Sequence, residues 1–223
     1  MTKSNSFKFC LITVGLFLAG FYSFERTHTT KKYFDDQGTL LVIEEYKRNL
    51  VKVREIHFRP NKSVEKILRF KNSAQNGYET HFYPNGKIKS QIPYSEGMKN
   101  GRMKSWYPSG SFLGFADFID DHHAYSSKAW HPNGMIRAEA LFSGGHQNGI
   151  ETQFYKDGTR KLQGHFVDGV LHGTEYRWHS NGKLFLELRY KNGIVEEIIS
   201  SFDENGLPLV MNIKDLEKIK FEH

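Results

Sequence analysis

Cysteine is almost absent from the sequence: the single cysteine, Cys10, lies in an apolar segment close to the N-terminus. The rest of the chain therefore has no thiol for a disulfide, a thiolate nucleophile or a zinc–thiolate site. The sequence also lacks the G-x-S-x-G, G-x-x-x-x-G-K-[ST] and H-E-x-x-H patterns of hydrolases, nucleotide-binding proteins and metalloproteases. We therefore expect a protein that is not an enzyme and that holds no cofactor.

Long apolar runs are scarce as well, since hydrophobic residues make up 38% of the chain. The exception is the uncharged segment 9–24, which follows a short basic segment containing Lys3 and Lys8. As a helix this segment would be about 24 Å long, short of the ~30 Å hydrocarbon core of a bilayer. A basic start followed by an apolar run is typical of secretory signals. We predict that residues 1–24 form an apolar helix that is a signal peptide or, since a clear cleavage site is missing, a membrane anchor.

The position of this segment at the extreme N-terminus also predicts where the protein resides. It favours export or membrane anchoring, in the cell envelope, the periplasm or outside the cell, over a cytoplasmic location. A buried N-terminal segment of a soluble protein is the alternative. The charges on both sides of the apolar run do not fix a membrane orientation.

An aromatic side chain, in contrast, occurs at every twelfth residue between positions 34 and 202. Because aromatics make up only 14% of the chain, an unbroken series of this length is not a product of composition. Two aromatics define a unit of 24 residues, and a fixed period of this size is typical of repeat proteins. The series is Phe34, Tyr46, Phe58, Phe70, Phe82, Tyr94, Trp106, Phe118, Trp130, Phe142, Phe154, Phe166, Trp178, Tyr190 and Phe202.

Each unit has the pattern of a β-hairpin. The first aromatic is followed by turn residues such as proline and asparagine, and then by glycine. On either side of this turn, apolar and polar side chains alternate. A type I turn with glycine in the left-handed position pairs Phe82 with Ile88. Lys62 replaces the glycine in one unit, and the turn glycines of the others are Gly38, Gly86, Gly110, Gly134, Gly158, Gly182 and Gly206.

Counting outward from this turn predicts one apolar and one polar face. The apolar face is expected to carry Phe82, Thr80, Tyr78, Ile88, Ser90, Ile92 and Tyr94. The polar face is expected to carry Tyr83, His81, Glu79, Lys87, Lys89 and Gln91. Both aromatics of every unit would then form one structural ladder on one face. Arg160 and Pro208 break the pattern, because the other units have an apolar residue at this position.

The aromatic-x-x-N/D-G turn, followed by aromatic-x-x-G-x-x-x-G, resembles the variant MORN repeat of bacterial proteins, a family often described as antitoxins of toxin–antitoxin systems. The resemblance covers about residues 33–206, although the first two units and the one around residues 118–125 depart from the pattern. It implies an all-β fold, an elongated, twisted, antiparallel meander of about seven hairpins. It also implies roles in scaffolding, tethering near a membrane or partner binding, and no catalytic residues.

The repeat divides the chain into four segments. We predict the apolar segment over 1–24, a polar linker over 25–32, one repeat array over 33–206 and a C-terminal cap over 207–223. In the cap, Ile213, Leu216 and Ile219 are spaced for a short amphipathic helix, and an edge strand is the alternative.

Two groups of side chains are candidates for a site. A tyrosine or histidine directly follows the first aromatic in several units, so we expect partner binding on the outer face by Tyr83, Tyr107, His131, Tyr155 and His179. The segment from Asp120 through Asp121 and His122 to His123 has the densest group of metal-ligand residue types. Because adjacent residues of a strand point to opposite faces, we interpret it as a modified turn and predict no metal site.

Net charge and sheet architecture together limit the classes of partner that the sequence predicts. The net charge of +6 allows an anionic lipid surface as a partner, but 25 interspersed acidic residues favour an ordinary solvated face. Nucleic acid is not expected, because the ladder aromatics belong to the face predicted to be buried. A single sheet with one apolar face predicts a protein partner or a homodimer. We expect a non-catalytic scaffold, exported or membrane-anchored, that binds a protein or envelope partner through its sheet face or edge; the alternative is an antitoxin-like protein that neutralises a cognate toxin by direct binding.

Overall fold

The computed structural model describes residues 8–14 and 29–218, and these residues form β-strands, turns and two short 3₁₀ segments. The chain divides into two units, the first ending at Gly110 and the second beginning at Ser111. Within each unit, successive strands pair antiparallel in chain order. The predicted all-β antiparallel meander of hairpins is therefore confirmed for each unit.

The strands of the first unit are short and closely spaced along the chain. They are β1 (Lys8–Val14), β2 (Thr29–Phe34), β3 (Leu40–Lys47), β4 (Val51–Phe58), β5 (Val64–Lys71), β6 (Ala74–Gln75), β7 (Gly77–Phe82), β8 (Ile88–Ser95), β9 (Met98–Lys99) and β10 (Gly101–Trp106). A 3₁₀ turn connects β3 to β4 over Arg48–Leu50.

The second unit repeats this arrangement. Its strands are β11 (Phe112–Ile119), β12 (His122–Trp130), β13 (Ile136–Ser143), β14 (His146–Gln147), β15 (Gly149–Phe154), β16 (Arg160–Val167), β17 (Val170–Leu171), β18 (Gly173–Trp178), β19 (Leu184–Lys191) and β20 (Ile194–Ser201). A 3₁₀ helix over Ile213–Lys218 follows.

The prediction of an N-terminal apolar helix is wrong where the structure describes this segment. Residues Lys8–Val14 form β1, which pairs antiparallel with β2. An apolar run fits a strand as well as a helix, and the Ile12-Thr13-Val14 sequence is β-branched, which favours a strand beside an available edge. β2 begins at Thr29, inside the expected linker, and the remainder of residues 1–28 lies outside the described residues. Among the described residues, no helix has the length and hydropathy that a bilayer crossing requires.

The predicted hairpin turn is present. The Tyr83 amide donates to the Lys87 carbonyl at 2.8 Å, and the Gly86 amide donates to the Tyr83 carbonyl at 2.9 Å. The seven turn glycines have φ angles between 80° and 92°, a left-handed region that residues with a Cβ adopt at a cost. Lys62 occupies the same region with a φ of 65°.

A β-bulge beside this turn changes which side chains share a face. Phe82 pairs with Ile88, whereas His81 pairs with Ser90, so that Lys89 is an additional residue in β8. Because side chains alternate along a strand, one additional residue moves every later side chain of β8 to the other face. The prediction that all ladder aromatics share one face is therefore wrong. The same register shift occurs in five other hairpins, between β2 and β3, β4 and β5, β12 and β13, β15 and β16, and β18 and β19.

The aromatic ladder is thus two rows on two faces. The tryptophan face carries the first aromatic of each 24-residue repeat. In the hairpin of β7 and β8 this face comprises Phe82, Ile88, Thr80, Gln91, Tyr78 and Pro93. The glutamate face carries the second aromatic of each 24-residue repeat. In the same hairpin this face comprises His81, Ser90, Glu79, Ile92 and Tyr94.

Side-chain contacts agree with this division. On the tryptophan face, the rings of Phe112 and Phe115 lie 5.2 Å and 5.9 Å from the ring of Trp130. On the glutamate face, Arg177 Nη2 lies 3.4 Å from Tyr190 Oη. The most buried side chains of the second unit, Leu186, Leu188 and Glu175, are 0%, 1% and 2% exposed and lie on the glutamate face.

The segment after β20 covers the end of that strand. Phe202 forms a bridge with Pro208, and the Leu209 amide donates to the Ser201 carbonyl at 2.8 Å. The Ser201 hydroxyl donates in turn to the Leu209 carbonyl at 2.8 Å. The predicted cap is therefore an extended segment followed by the 3₁₀ helix, and residues 219–223 lie outside the described part of the chain.

Candidate binding surfaces

The five residues predicted to bind a partner on an outer face are half-buried. Tyr83 Oη donates to the Trp106 carbonyl at 2.8 Å, and Tyr155 Oη donates to the Trp178 carbonyl at 2.8 Å. At the same position of their 24-residue repeats, His131 Nε2 lies 3.0 Å from the Phe154 carbonyl and His179 Nε2 lies 2.9 Å from the Phe202 carbonyl. Both carbonyls belong to the following repeat. These side chains connect one 24-residue repeat to the next, so the structure gives them a bridging role. Tyr107 lies at the equivalent position.

Turn asparagines and lysines add a second set of bridges. Asn133 and Asn181 each donate an amide hydrogen to a carbonyl 23 residues further on, at 2.6 Å and 2.7 Å. Lys183 Nζ donates to the Asn205 carbonyl at 2.8 Å. Part of the positive charge along the turn edge is therefore directed at main-chain oxygens of the same chain.

A row of glutamates on the glutamate face was not predicted. Glutamate recurs at the same repeat position in four units, and the residue two positions later contacts its carboxylate. His57 Nε2 lies 3.1 Å from Glu55, and His81 Nε2 lies 2.5 Å from Glu79. The other two pairs are Glu151 with Gln153, at 2.7 Å, and Glu175 with Arg177. The 24-residue recurrence of glutamate was the sequence signal for this row.

Burial and hydrogen bonding act in opposite directions on these carboxylates. Burial alone would raise the pKa of Glu79, but hydrogen bonds from Gln75 and His81 outweigh it and lower that pKa. At Glu175, burial is the larger effect and raises the pKa, although the Arg177 guanidinium opposes it. No buried side-chain nitrogen or oxygen within the described ranges lacks a hydrogen-bond partner. The row is therefore internally satisfied.

The first unit contains a denser polar cluster on the same face. Glu44 Oε2 accepts hydrogen bonds from Tyr33 Oη and Tyr46 Oη, both at 2.6 Å. Lys52 Nζ bridges Glu44, at 3.2 Å, and Glu55. Burial would raise the pKa of Glu44, but the two tyrosines and the lysine lower it to about 2. Burial and the hydrogen bond to Glu44 raise the pKa of Tyr46 to about 12. Glu44 stands where other units have an aliphatic residue or a small one, so the cluster replaces apolar packing there.

The segment Asp120–His123 is a modified turn. Asp120 and Asp121 have φ angles of 46° and 67°, and His122 Nδ1 lies 2.7 Å from the Asp120 carbonyl oxygen. The His123 ring lies between the rings of Phe118 and Phe142, with centroids at 4.4 Å and 4.9 Å. The two imidazoles thus have separate surroundings, and no group of three or more metal-ligand residues occurs in the part of the chain that the structure describes.

The tryptophan face differs, because apolar side chains on it are exposed. Tyr78, Phe112, Leu141 and Ile150 are 50%, 36%, 51% and 47% exposed. The strand pairing places all four on the tryptophan face. The sequence placed Tyr78 on this face but did not predict its exposure, and the position of Leu141 on this face follows from the register shift at the bulge in β13.

A groove of about 450 Å³ crosses the strands of the second unit on this face. Its floor is a polar row in cross-strand register on β12, β13, β15 and β16, consisting of Lys128, Glu139, Thr152 and Gln163. Leu141 and Ile150 line one side of the groove, and Arg160 lines the other. Lys128 Nζ lies 2.8 Å from Glu139 Oε2.

These features define a class of protein: a repeat protein whose β-hairpins are joined by strand pairing and by side-chain bridges to the next turn. The family model for the MORN repeat variant matches residues 75–96 and 171–192. The two matched segments begin 96 residues apart, which is four periods of 24. Two segments of the chain therefore match the MORN repeat variant, in the same phase of the 24-residue period.

No match was found among curated proteins. Among solved structures, the chain is similar to a crystal structure of TcdB2-TccC3 without its hypervariable C-terminal region, at 10% identity and a TM-score of 0.24. The matched region covers 78% of this chain and 14% of the chain in that structure. A structure of TcdB2-TccC3-Cdc42 matches at 10% identity and a TM-score of 0.20, with 74% and 14% of the two chains covered. The chain thus spans a small part of the length of both.

Proposed function

We propose that this chain is a MORN-repeat protein and a non-catalytic scaffold that binds a partner protein through the tryptophan face of its second unit. The exposed apolar pair Leu141 and Ile150, beside a polar groove, is the observation that supports this proposal. Contiguous exposed apolar surface with a polar rim is typical of protein-binding sites.

The glutamate face supports the proposal by contrast. Its carboxylates are engaged by side chains of the same chain, as in the pairs of Glu151 with Gln153 and Glu175 with Arg177. A partner on that face would have to break these internal contacts, which costs more than covering exposed apolar side chains.

The test is photo-crosslinking from defined positions in the cell. A photoreactive amino acid at Ile150 reports on the tryptophan face, and one at Arg137, the additional residue of the bulge in β13, reports on the opposite face. The proposal expects one protein partner to crosslink from position 150 and not from position 137. Equal crosslinking from both positions, or crosslinking from position 137 alone, would contradict it.

The proposal includes export or membrane anchoring, which the apolar segment 9–24 supports. Cell fractionation tests this part: the protein is expected in the envelope or outside the cell. Recovery of the full-length chain in the soluble cytoplasm would contradict this part and favour the antitoxin-like alternative, in which the partner is a toxin.

A further inference from the structure

Arg160 is a charged residue in an apolar row of the tryptophan face. The equivalent position in other units holds Val64, Ile88, Phe112, Ile136 and Leu184. Arg160 is exposed, pairs across the hairpin with Phe154, and has its guanidinium carbon 5.9 Å from the centre of the Trp178 ring. Among the described residues, no carboxylate lies within salt-bridge distance of this guanidinium. The contact with the Trp178 ring holds the guanidinium beside the groove and leaves its N–H donors accessible to an anion.

The groove has an excess of positive charge at this place. Its charged residues are Lys128, Glu139 and Arg160. Because Lys128 and Glu139 neutralise each other at 2.8 Å, the remaining charge is that of Arg160. Planar guanidinium groups bind carboxylates through two parallel hydrogen bonds, which gives the groove a preference for acidic side chains.

The two walls of the groove suit alternate side chains of one extended peptide. Ile150 and Phe154 lie four residues apart on β15, and Arg160 pairs with Phe154, so the walls are about 13 Å apart at ~3.3 Å per residue. An extended chain in the groove would direct successive side chains to opposite walls. One set would meet Leu141 and Ile150, and the other set would meet Arg160.

We propose that the groove binds an extended segment of a partner protein in which acidic and aliphatic side chains alternate. The carboxylate binds the Arg160 guanidinium, and the aliphatic side chains cover Leu141 and Ile150. Gln163, which lines the floor, supplies an amide for a hydrogen bond to the peptide backbone. This inference rests on the proposed scaffold function and specifies the chemistry of the partner.

The test uses biotinylated peptides with a neutral linker in surface plasmon resonance, with the full-length chain as analyte. The probe is Val-Glu-Leu-Glu-Val, and the matched peptides are Val-Gln-Leu-Gln-Val and Val-Lys-Leu-Lys-Val. The acidic peptide is expected to bind about tenfold more tightly than the glutamine peptide, because a charged pair contributes more than a neutral hydrogen bond. Its binding is expected to weaken as salt is raised.

Two variants locate the contact. Arg160→Leu is expected to lower affinity for the acidic peptide by about tenfold and to leave the glutamine peptide unchanged. It should fold normally, since Leu184 occupies the equivalent position. Arg137→Leu removes the same charge from the opposite face and is expected to have no effect on affinity.

Equal affinity of Arg160→Leu and the original chain for the acidic peptide would overturn the inference, as would the absence of any preference for the acidic peptide. If position 150 still crosslinks to a partner protein in Arg160→Leu with unchanged yield, the scaffold function stands and the groove assignment fails. If no partner crosslinks from position 150 in either chain, the scaffold function itself fails.

Discussion

Trp178 and Tyr190 lie on opposite faces of one hairpin, although both belong to the same series of aromatics. Phe185 is the cause, because it is the additional residue between the pair of Trp178 with Leu184 and the pair of Arg177 with Leu186. Beyond this bulge, the side chains of β19 that reach the glutamate face include the most buried ones of the second unit. The bulge therefore decides which side chains of the strand form the core.

Deletion of Phe185 is expected to destabilise the second unit by about 3 kcal/mol or more, because Leu186 and Leu188 would move to the other face and each buried leucine contributes about 1.5–3 kcal/mol. Phe185→Lys keeps the residue count and is expected to change stability by less than about 1 kcal/mol, as at an ordinary half-buried position. Lysine stands at this position in other units, as Lys89 and Lys161. Chemical denaturation measures both variants, and equal losses would contradict a role for the bulge.

The Glu44 cluster predicts a pH dependence in acid. The folded pKa of Glu44 is about 2, below the ordinary value of 4.5, so the folded state binds its proton less readily than the unfolded state. The stability that this carboxylate contributes is therefore fully present above about pH 4.5 and is lost as the pH falls towards 2. Glu44→Gln should lower the melting temperature at pH 6 and flatten its decline between pH 4.5 and 2. Glu65→Gln, at an exposed position, serves as the control. An unchanged acid profile in Glu44→Gln would refute the account of the cluster.

The turn glycines predict a purely conformational effect. Gly134 has a φ of 88°, and a Cβ at this position would meet no atom within 4 Å. Gly134→Val is expected to cost about 1–2 kcal/mol through backbone strain, because a β-branched residue resists a positive φ. Gly134→Asn should cost less, since asparagine adopts this region more readily. Melting temperatures that are equal for the two variants would argue against strain as the cause.

The hydrogen bonds between 24-residue repeats predict that removal of a single hydroxyl group lowers the free energy of unfolding. Tyr155→Phe removes the hydrogen bond to the Trp178 carbonyl at 2.8 Å and keeps the ring. We expect a loss of about 1 kcal/mol in the free energy of unfolding. Tyr176→Phe is the matched control on the tryptophan face, where the tyrosine ring contacts Trp178. A loss at position 176 equal to that at position 155 would show that the hydroxyl bridge has no specific role.

The sequence predicted the features that depend on neighbouring residues. The turn at Gly86 and the pairing of Phe82 with Ile88 are local, because a turn type sets the pairs closest to it. The side-chain faces beyond Lys89 could not be counted in the same way, since one unpaired residue reverses the alternation without changing the period. The strand at residues 8–14 depends on the edge of β2, which only the folded chain provides. Arg160 was visible as an exception, but the position of Leu141 on the same face follows from the bulge in β13.

Hydroxyl-radical footprinting of the second unit, with and without the protein captured by crosslinking, shows which face of the sheet the partner covers. The measurement compares the oxidation rate of Leu141 and Ile150 on the tryptophan face with that of Phe166 and Tyr190 on the glutamate face. A partner bound to the tryptophan face is expected to slow oxidation of the first pair and to leave oxidation of the second pair unchanged. Slower oxidation of Phe166 and Tyr190, with Leu141 and Ile150 unaffected, would contradict binding through the tryptophan face.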